Sequence, residues 1–86
     1  MEKNIELGYL LDYYGAFLTE HQAKILDLYV NEDLSLAEIA EKEGISRQGV
    51  HDSIRRAEVR LRDLEAKVKL LHRTKQTAYG VQSIKQ

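Results

Sequence analysis

The sequence predicts an all-α protein in which two helices are joined by a tight turn and the second of them is long. No Pro interrupts the 86 residues, and apolar residues recur at spacings of three and four. This spacing is typical of amphipathic helices rather than strands. Ser35 and Gly44 bracket one short helix, and Ser46 starts the next one. We therefore expect a helix-turn-helix at about residues 35–56, followed by a long C-terminal helix.

The turn between these helices is bounded by capping residues. Ser35 and Glu38 have the spacing of a capping box, in which each side chain accepts a hydrogen bond from the backbone N–H of the other residue. Gly44 suits the left-handed conformation that ends a helix, and Ser46 can cap the following one. So short a turn makes the helices cross steeply, which fits DNA binding but also fits a helix corner that serves packing alone. The shared core is predicted at Leu36, Ile39, Ala40, Ile45, Val50 and Ile54.

Two further helices precede this motif. Apolar residues recur at helical spacing over residues 5–18, and Thr19 with Gln22 forms a second capping box. Tyr9 and Tyr13 lie one turn apart on the first of these helices. Such a pair can stack on bases, although Tyr on an amphipathic helix more often packs in a core or an interface.

Charge is segregated along the chain. The net charge of −1 argues by itself against a strongly basic nucleic-acid binder. However, residues 1–46 carry three Lys against ten acidic residues, whereas residues 47–75 carry nine Lys and Arg against four. A basic helix of this kind is either an electrostatic surface for nucleic acid or a solvated helix face without a ligand. The sequence leaves both interpretations open.

A helical wheel places several polar residues on the outward side of the second motif helix. In the major groove Arg bonds to guanine and Gln to adenine, while Ser and a helix N-terminus hold phosphate. Asp52 opposes binding unless it accepts from cytosine or pairs with Arg55 or Arg56. The predicted nucleic-acid contacts are Ser46, Arg47, Gln48, His51, Asp52, Arg55 and Arg56. Further along the helix, more basic residues are expected to extend this positively charged surface as a positive track. These residues are Arg60, Arg62, Lys67 and Lys69.

The last helix carries a heptad seam, with apolar residues at alternating steps of four and three from Val50 to Leu71. We expect one domain over residues 1–72, a last helix over 47–72 of about 39 Å, and a flexible tail over 73–86. The end of the seam lies beyond the motif core and needs a covering surface, which is a second copy in a homodimer or the first helix of the same chain. The predicted dimer-interface residues are Leu61, Leu64, Val68 and Leu71.

Composition and motifs argue against an enzyme, a cofactor site or a metal site. The chain has no Cys, its three His are far apart in sequence, and it has no Gly-rich phosphate loop. No apolar run approaches the ~20 residues that cross a bilayer, and the N-terminus lacks the pattern of a signal peptide. We therefore expect a cytoplasmic, non-enzymatic protein without membrane insertion.

The motif residues resemble two groups of known proteins. Residues 35–62 look like the fourth region of bacterial sigma factors, with a Ser-Leu-x-Glu-Ile-Ala opening, a Gly-Ile-Ser turn and a Val-x-x-x-Ile-x-x-Ala-x-x-x-Leu-Arg helix. Residues 4–72 are more closely similar to the YlxM family of small bacterial proteins. That similarity is carried by residues 18–22, 31–40 and 44–56.

The resemblance implies an all-helical cytoplasmic protein with a sigma-like helix-turn-helix. It also implies a regulatory or accessory role in the signal recognition particle pathway, which for the family is inferred from gene neighbourhood. The implied partners are nucleic acid, as DNA or the RNA of the particle, and a protein of that pathway. The alternative is an adaptor that uses the same fold to bind protein or the particle's RNA, with the basic helix as a docking or solvated face.

Overall fold

The structure is a computed structural model that describes the backbone of residues 3–85 and the side chains of residues 4–69. Its helices are α1 (Lys3–Tyr14), α2 (Glu20–Val30), α3 (Leu36–Glu43) and α4 (Arg47–Lys85), with a 3-10 turn at Gly15–Phe17. No strand occurs within residues 3–85. The all-α prediction is therefore confirmed.

Both predicted capping boxes are present and set the starts of α2 and α3. The Thr19 hydroxyl accepts from the Gln22 backbone N–H at 3.1 Å, and the Gln22 side-chain oxygen Oε1 accepts from the Thr19 backbone N–H at 3.3 Å. Ser35 and Glu38 make the equivalent bonds at 3.1 and 2.9 Å. The Ser35 N–H also lowers the pKa of the Glu38 carboxyl. Each box satisfies backbone N–H groups that the first helical turn leaves unpaired.

The turn between α3 and α4 has the predicted chemistry. Gly44 takes the left-handed conformation with φ of 69° and donates its N–H to the Ala40 carbonyl. Only Gly adopts this conformation without steric cost, so α3 ends here. Two residues later the Ser46 hydroxyl accepts from the Gly49 N–H at 2.9 Å and caps α4. The helix-turn-helix therefore lies where the sequence placed it.

The core is formed by apolar residues from all four helices. Within residues 4–69 no polar or charged side chain is buried. Leu36 and Ile45 are half-buried and pack against this core. The buried residues are Leu7, Leu10, Leu18, Ile25, Leu26, Leu28, Ile39, Ala40, Val50, Ile54, Ala57 and Leu61.

The heptad seam of α4 leaves this core gradually towards the C-terminus. Leu61 is fully buried, Leu64 is half-buried, and Val68 is 46% exposed. Leu61 is therefore covered by its own chain. Its assignment to a dimer interface required that a second copy cover it, and that assignment is wrong. The side chain of Leu71, the remaining predicted interface residue, lies outside the described residues.

Helix α1 covers α4 near Leu61. Coverage by the first helix of the same chain is the alternative to a homodimer that the sequence left open. The Arg62 guanidinium donates to the carboxylate of Glu6 on α1 and, at 3.0 Å, to that of Glu58. The hydrogen bond from Arg62 holds the pKa of Glu6 below its usual range. Further along α1, burial and then the Glu65 carboxylate raise the pKa of the Tyr14 hydroxyl. These contacts hold α1 against α4 next to Leu61, which belongs to the same buried cluster as Leu7 and Leu10 of α1.

Helix α4 continues past His72, where the sequence predicted its end, and its backbone is helical through Lys85. The polar composition of residues 73–86 indicated a flexible tail, but these residues include no Pro that would stop a helix. Their Gly costs a helix only about 1 kcal/mol. At 39 residues α4 is about 58 Å long. Nevertheless, no helix in the described part of the chain is both long and apolar enough to cross a membrane.

Candidate nucleic-acid interface

The first three turns of α4 present the predicted contact residues to solvent. Val50 and Ile54 are buried in the core and fix the rotation of α4 about its axis. The opposite side of the helix therefore faces outward. The exposed residues on or beside that side include all seven predicted contacts, which are Ser46, Arg47, Gln48, His51, Asp52, Arg55 and Arg56.

Ser46 has a structural role at this surface. Its hydroxyl oxygen accepts from the Gly49 N–H, so it caps α4 within the chain. A Cβ at Gly49 would lie 3.2 Å from that oxygen, which is closer than most Cβ contacts in proteins. Gly49 therefore leaves room for the cap. Towards a ligand Ser46 still offers its hydroxyl proton as a donor.

Three of the predicted residues share one shallow depression. Arg47, Gln48 and His51 line it together with Leu36 at the start of α3, and its volume is about 380 Å³. Two donors that can read base edges are thus placed side by side at the N-terminal end of α4.

Three more of the predicted residues line two neighbouring grooves. Asp52, Arg55 and Arg56 line the first, of about 560 Å³, together with residues further along α4. Asp52 and Arg56 also line the second, of about 320 Å³, against the N-terminal turn of α2. The sequence analysis did not assign seven of the lining residues to this surface, and these are Thr19, His21, Gln22, Gly49, Ser53, Val59 and Asp63. His21 and Gln22 reach it through the packing of α2 against α4, for which their own sequence positions give no signal.

Asp52 makes contacts that the sequence did not suggest. The Gln48 side-chain N–H donates to Asp52 Oδ1 at 3.0 Å, and His51 Nδ1 lies 3.8 Å from the same oxygen. Among the described residues, no ion pair joins Asp52 to Arg55 or Arg56. The positive charges of both arginines therefore remain available to a ligand.

The positive track is shorter than predicted. Arg62 points towards α1, where it pairs with Glu6, and Lys67 pairs with Asp63 at 3.1 Å. Arg60 lines the same groove as Arg55. The positive charge available for binding is thus concentrated in the first turns of α4, although Lys69 is also exposed.

The His and acidic side chains of this surface are few and scattered. His51 Nδ1 and Asp52 Oδ1 lie 3.8 Å apart at this surface. Within the residues that the structure describes, no group of three or more His, Cys, Asp or Glu side chains is placed to hold a metal ion. The chemistry that the surface offers is therefore hydrogen bonding and charge, supplied by Arg, Gln, His and Ser.

Comparison with known proteins gives consistent matches. The family of YlxM / p13 like helix-turn-helix proteins, UPF0122, matches residues 1–86. A UPF0122 protein of Acetivibrio thermocellus is 52% identical over 73 residues, which are 85% of this chain and 62% of that protein. One of Clostridium kluyveri is 52% identical over 75 residues, 87% of this chain and 68% of that protein. One of Halalkalibacterium halodurans is 40% identical over 86 residues, 100% of this chain and 79% of that protein. The chain thus spans between 62% and 79% of the length of these relatives.

Proposed function

Because this chain belongs to the UPF0122 family of YlxM / p13 like helix-turn-helix proteins, we propose that it is a non-enzymatic regulatory protein that binds DNA. The observation that carries the proposal is the exposed, positively charged N-terminal part of α4. Its inner side is held in the core, so the helix presents a fixed outer side to a ligand. A helix held in this way is what the second helix of a helix-turn-helix offers to the major groove.

The outer side of α4 supplies both kinds of contact that DNA binding requires. Arg55 and Arg56 pair with backbone phosphates, and those contacts position the protein on the duplex. Arg47 and Gln48, at the N-terminal end of the helix, reach base edges in the major groove, which is about 12 Å wide and admits one helix. This division of roles follows from the order of the residues along α4.

The cellular setting that we propose follows from the family. The chain acts in the cytoplasm as an accessory of the signal recognition particle pathway, with DNA as its ligand and the RNA of the particle as the alternative nucleic acid. A protein of the same pathway is a further proposed partner. We also propose that two copies associate through the exposed end of the α4 seam, because Val68 is incompletely covered by its own chain.

A second candidate function is that of an adaptor for a protein partner. It is favoured by an apolar stripe on α1 and the 3-10 turn that follows, formed by Ile5, Tyr9, Tyr13 and Phe17. Tyr9 and Tyr13 are 56% and 75% exposed, so they do not pack in the core, and packing in an interface is the alternative that the sequence also offered for them. Aromatic residues are enriched in protein interfaces and seldom cluster on surfaces without one.

Titration of labelled nucleic acids with the wild-type chain distinguishes these functions. We expect fluorescence anisotropy to show binding to a duplex of mixed sequence, with an affinity that falls about 100-fold between 50 and 200 mM salt. That fall corresponds to about four phosphate contacts. Binding to an RNA hairpin alone would replace DNA by RNA as the ligand. Binding to neither at 50 mM salt would overturn the nucleic-acid function and leave the adaptor.

A further inference from the structure

The contact between Asp52 and Gln48 has a consequence for base recognition. We infer that Asp52 is a positioning residue that orients the Gln48 amide so that α4 prefers adenine in the major groove. The inference rests on the proposed function, because it concerns the same outer side of α4. It also explains why a carboxylate lies among arginines on a surface that binds phosphates.

The carboxylate fixes which end of the Gln48 amide faces it. An ionised Asp has acceptors only, so it attracts the amide N–H₂ group and repels the amide oxygen. The observed bond has this polarity, with Gln48 Nε2 as donor and Asp52 Oδ1 as acceptor at 3.0 Å. Both residues are exposed and lie one helical turn apart, where side chains meet along a helix surface. The amide oxygen of Gln48 is thereby directed away from Asp52.

The groups that remain on Gln48 match adenine. After one N–H is donated to Asp52, the amide retains one N–H donor and its carbonyl acceptor. In the major groove adenine presents N7 as an acceptor beside the N6 amino donor, so one base satisfies both groups. Guanine presents two acceptors, N7 and O6, and would place an oxygen against the Gln48 oxygen. We therefore expect discrimination against guanine in particular.

Asp52 also reduces the conformational freedom of Gln48. A free Gln side chain loses rotamer entropy when it binds, and an existing hydrogen bond lessens that loss. His51 Nδ1 lies 3.8 Å from the same Asp52 oxygen. Arg55 and Arg56 line the groove next to Asp52 and supply the surrounding positive charge.

Two effects of opposite sign follow for Asp52. Its negative charge weakens binding to phosphates of every sequence, while its bond to Gln48 strengthens the preference for adenine. A carboxylate that acted only through its charge would change the affinity for all duplexes by the same factor. A change in the ratio of two affinities therefore reports the positioning role.

The experiment compares duplexes that differ in a single base pair. One duplex is selected from a random pool by the wild-type chain. The other is identical except that A·T at the preferred position is replaced by G·C. We expect the wild type to favour adenine about tenfold. In Asp52→Asn this ratio should fall to threefold or less, while the affinity for the guanine duplex rises at least twofold. Gln48→Ala should abolish the preference, and Asp52→Asn should not alter it further in that background.

Asp63→Asn is the matched control. Asp63 is an exposed carboxylate on the same helix and lines the same groove, but it pairs with Lys67. Its replacement should raise the affinity for both duplexes equally and leave their ratio unchanged. An undiminished ratio in Asp52→Asn, or a preference for adenine that survives Gln48→Ala, would overturn the inference while DNA binding stands. Failure of the wild type to bind any duplex would instead overturn the proposed function.

Discussion

Replacement of Leu61 by Ala is expected to lower the free energy of unfolding by about 2 to 5 kcal/mol. Leu61 is fully buried within the single chain, where α1 crosses α4. Truncation removes apolar contacts and leaves a cavity that the surrounding helices fill incompletely. Small domains are stable by only about 5 to 15 kcal/mol, so this loss is a large share of the total. Urea unfolding of both proteins measures it as a shift in midpoint.

Val68→Ala is the control for this variant, since Val68 lies on the same seam but is 46% exposed. We expect it to change the free energy of unfolding by less than about 1 kcal/mol. The effect of Leu61→Ala should also be the same at every protein concentration, because its own chain covers the residue. A loss that varied with concentration, together with sedimentation of a dimer, would show that a second copy covers the seam at Leu61. Dimerisation as we propose it involves the end of the seam beyond Leu61, where Leu64 and Val68 are less buried.

Replacement of Arg55 and Arg56 together by Ala is expected to weaken duplex binding at least tenfold in low salt. Each phosphate contact contributes about 0.9 to the slope of log affinity against log salt, so the slope should fall by about two units. Both side chains are exposed and lie outside the core, so the variant should fold as the wild type does. Anisotropy titrations at several salt concentrations give both quantities.

The matched control removes two positive charges further along the same helix. In Lys67→Ala with Lys69→Ala the net charge changes by the same amount, but Lys67 is already paired with Asp63. We expect this variant to retain most of the affinity and of the salt slope. Equal losses in the two variants would mean that the net charge of α4, and not a defined contact surface, governs binding. An unchanged slope in the arginine variant would remove Arg55 and Arg56 from the interface.

The parts of the fold that sequence alone predicted are those fixed by neighbouring residues. The boxes at Ser35 and Thr19 and the left-handed turn at Gly44 each depend on residues within one helical turn. These helix starts and ends can therefore be predicted without knowledge of the tertiary structure. The exposure of Arg55 followed in the same way, because Val50 and Ile54 were correctly assigned to the opposite, buried side of the helix.

The parts that sequence did not predict depend on distant residues or on competing partners. Leu61 fits a dimer seam and an internal core equally well, and only the crossing of α1, held by Glu6 and Arg62, decides between them. Asp52 had several candidate partners on its helix, and its choice of Gln48 depends on side-chain conformations that periodicity does not determine. The end of α4 was missed because a polar segment without Pro lacks a signal for either helix or coil.

The measurement that tests the central claim most directly is a map of the surface that duplex DNA touches. Backbone amide shifts of the full chain are followed by NMR as a duplex is added at low salt. We expect the largest changes at residues 46–56, with smaller ones at the start of α2 beside His21. The backbone amide shifts of Tyr9 and Tyr13 on α1 should change little. Changes centred on α1, or none at residues 46–56, would contradict the assignment of α4 as the nucleic-acid interface.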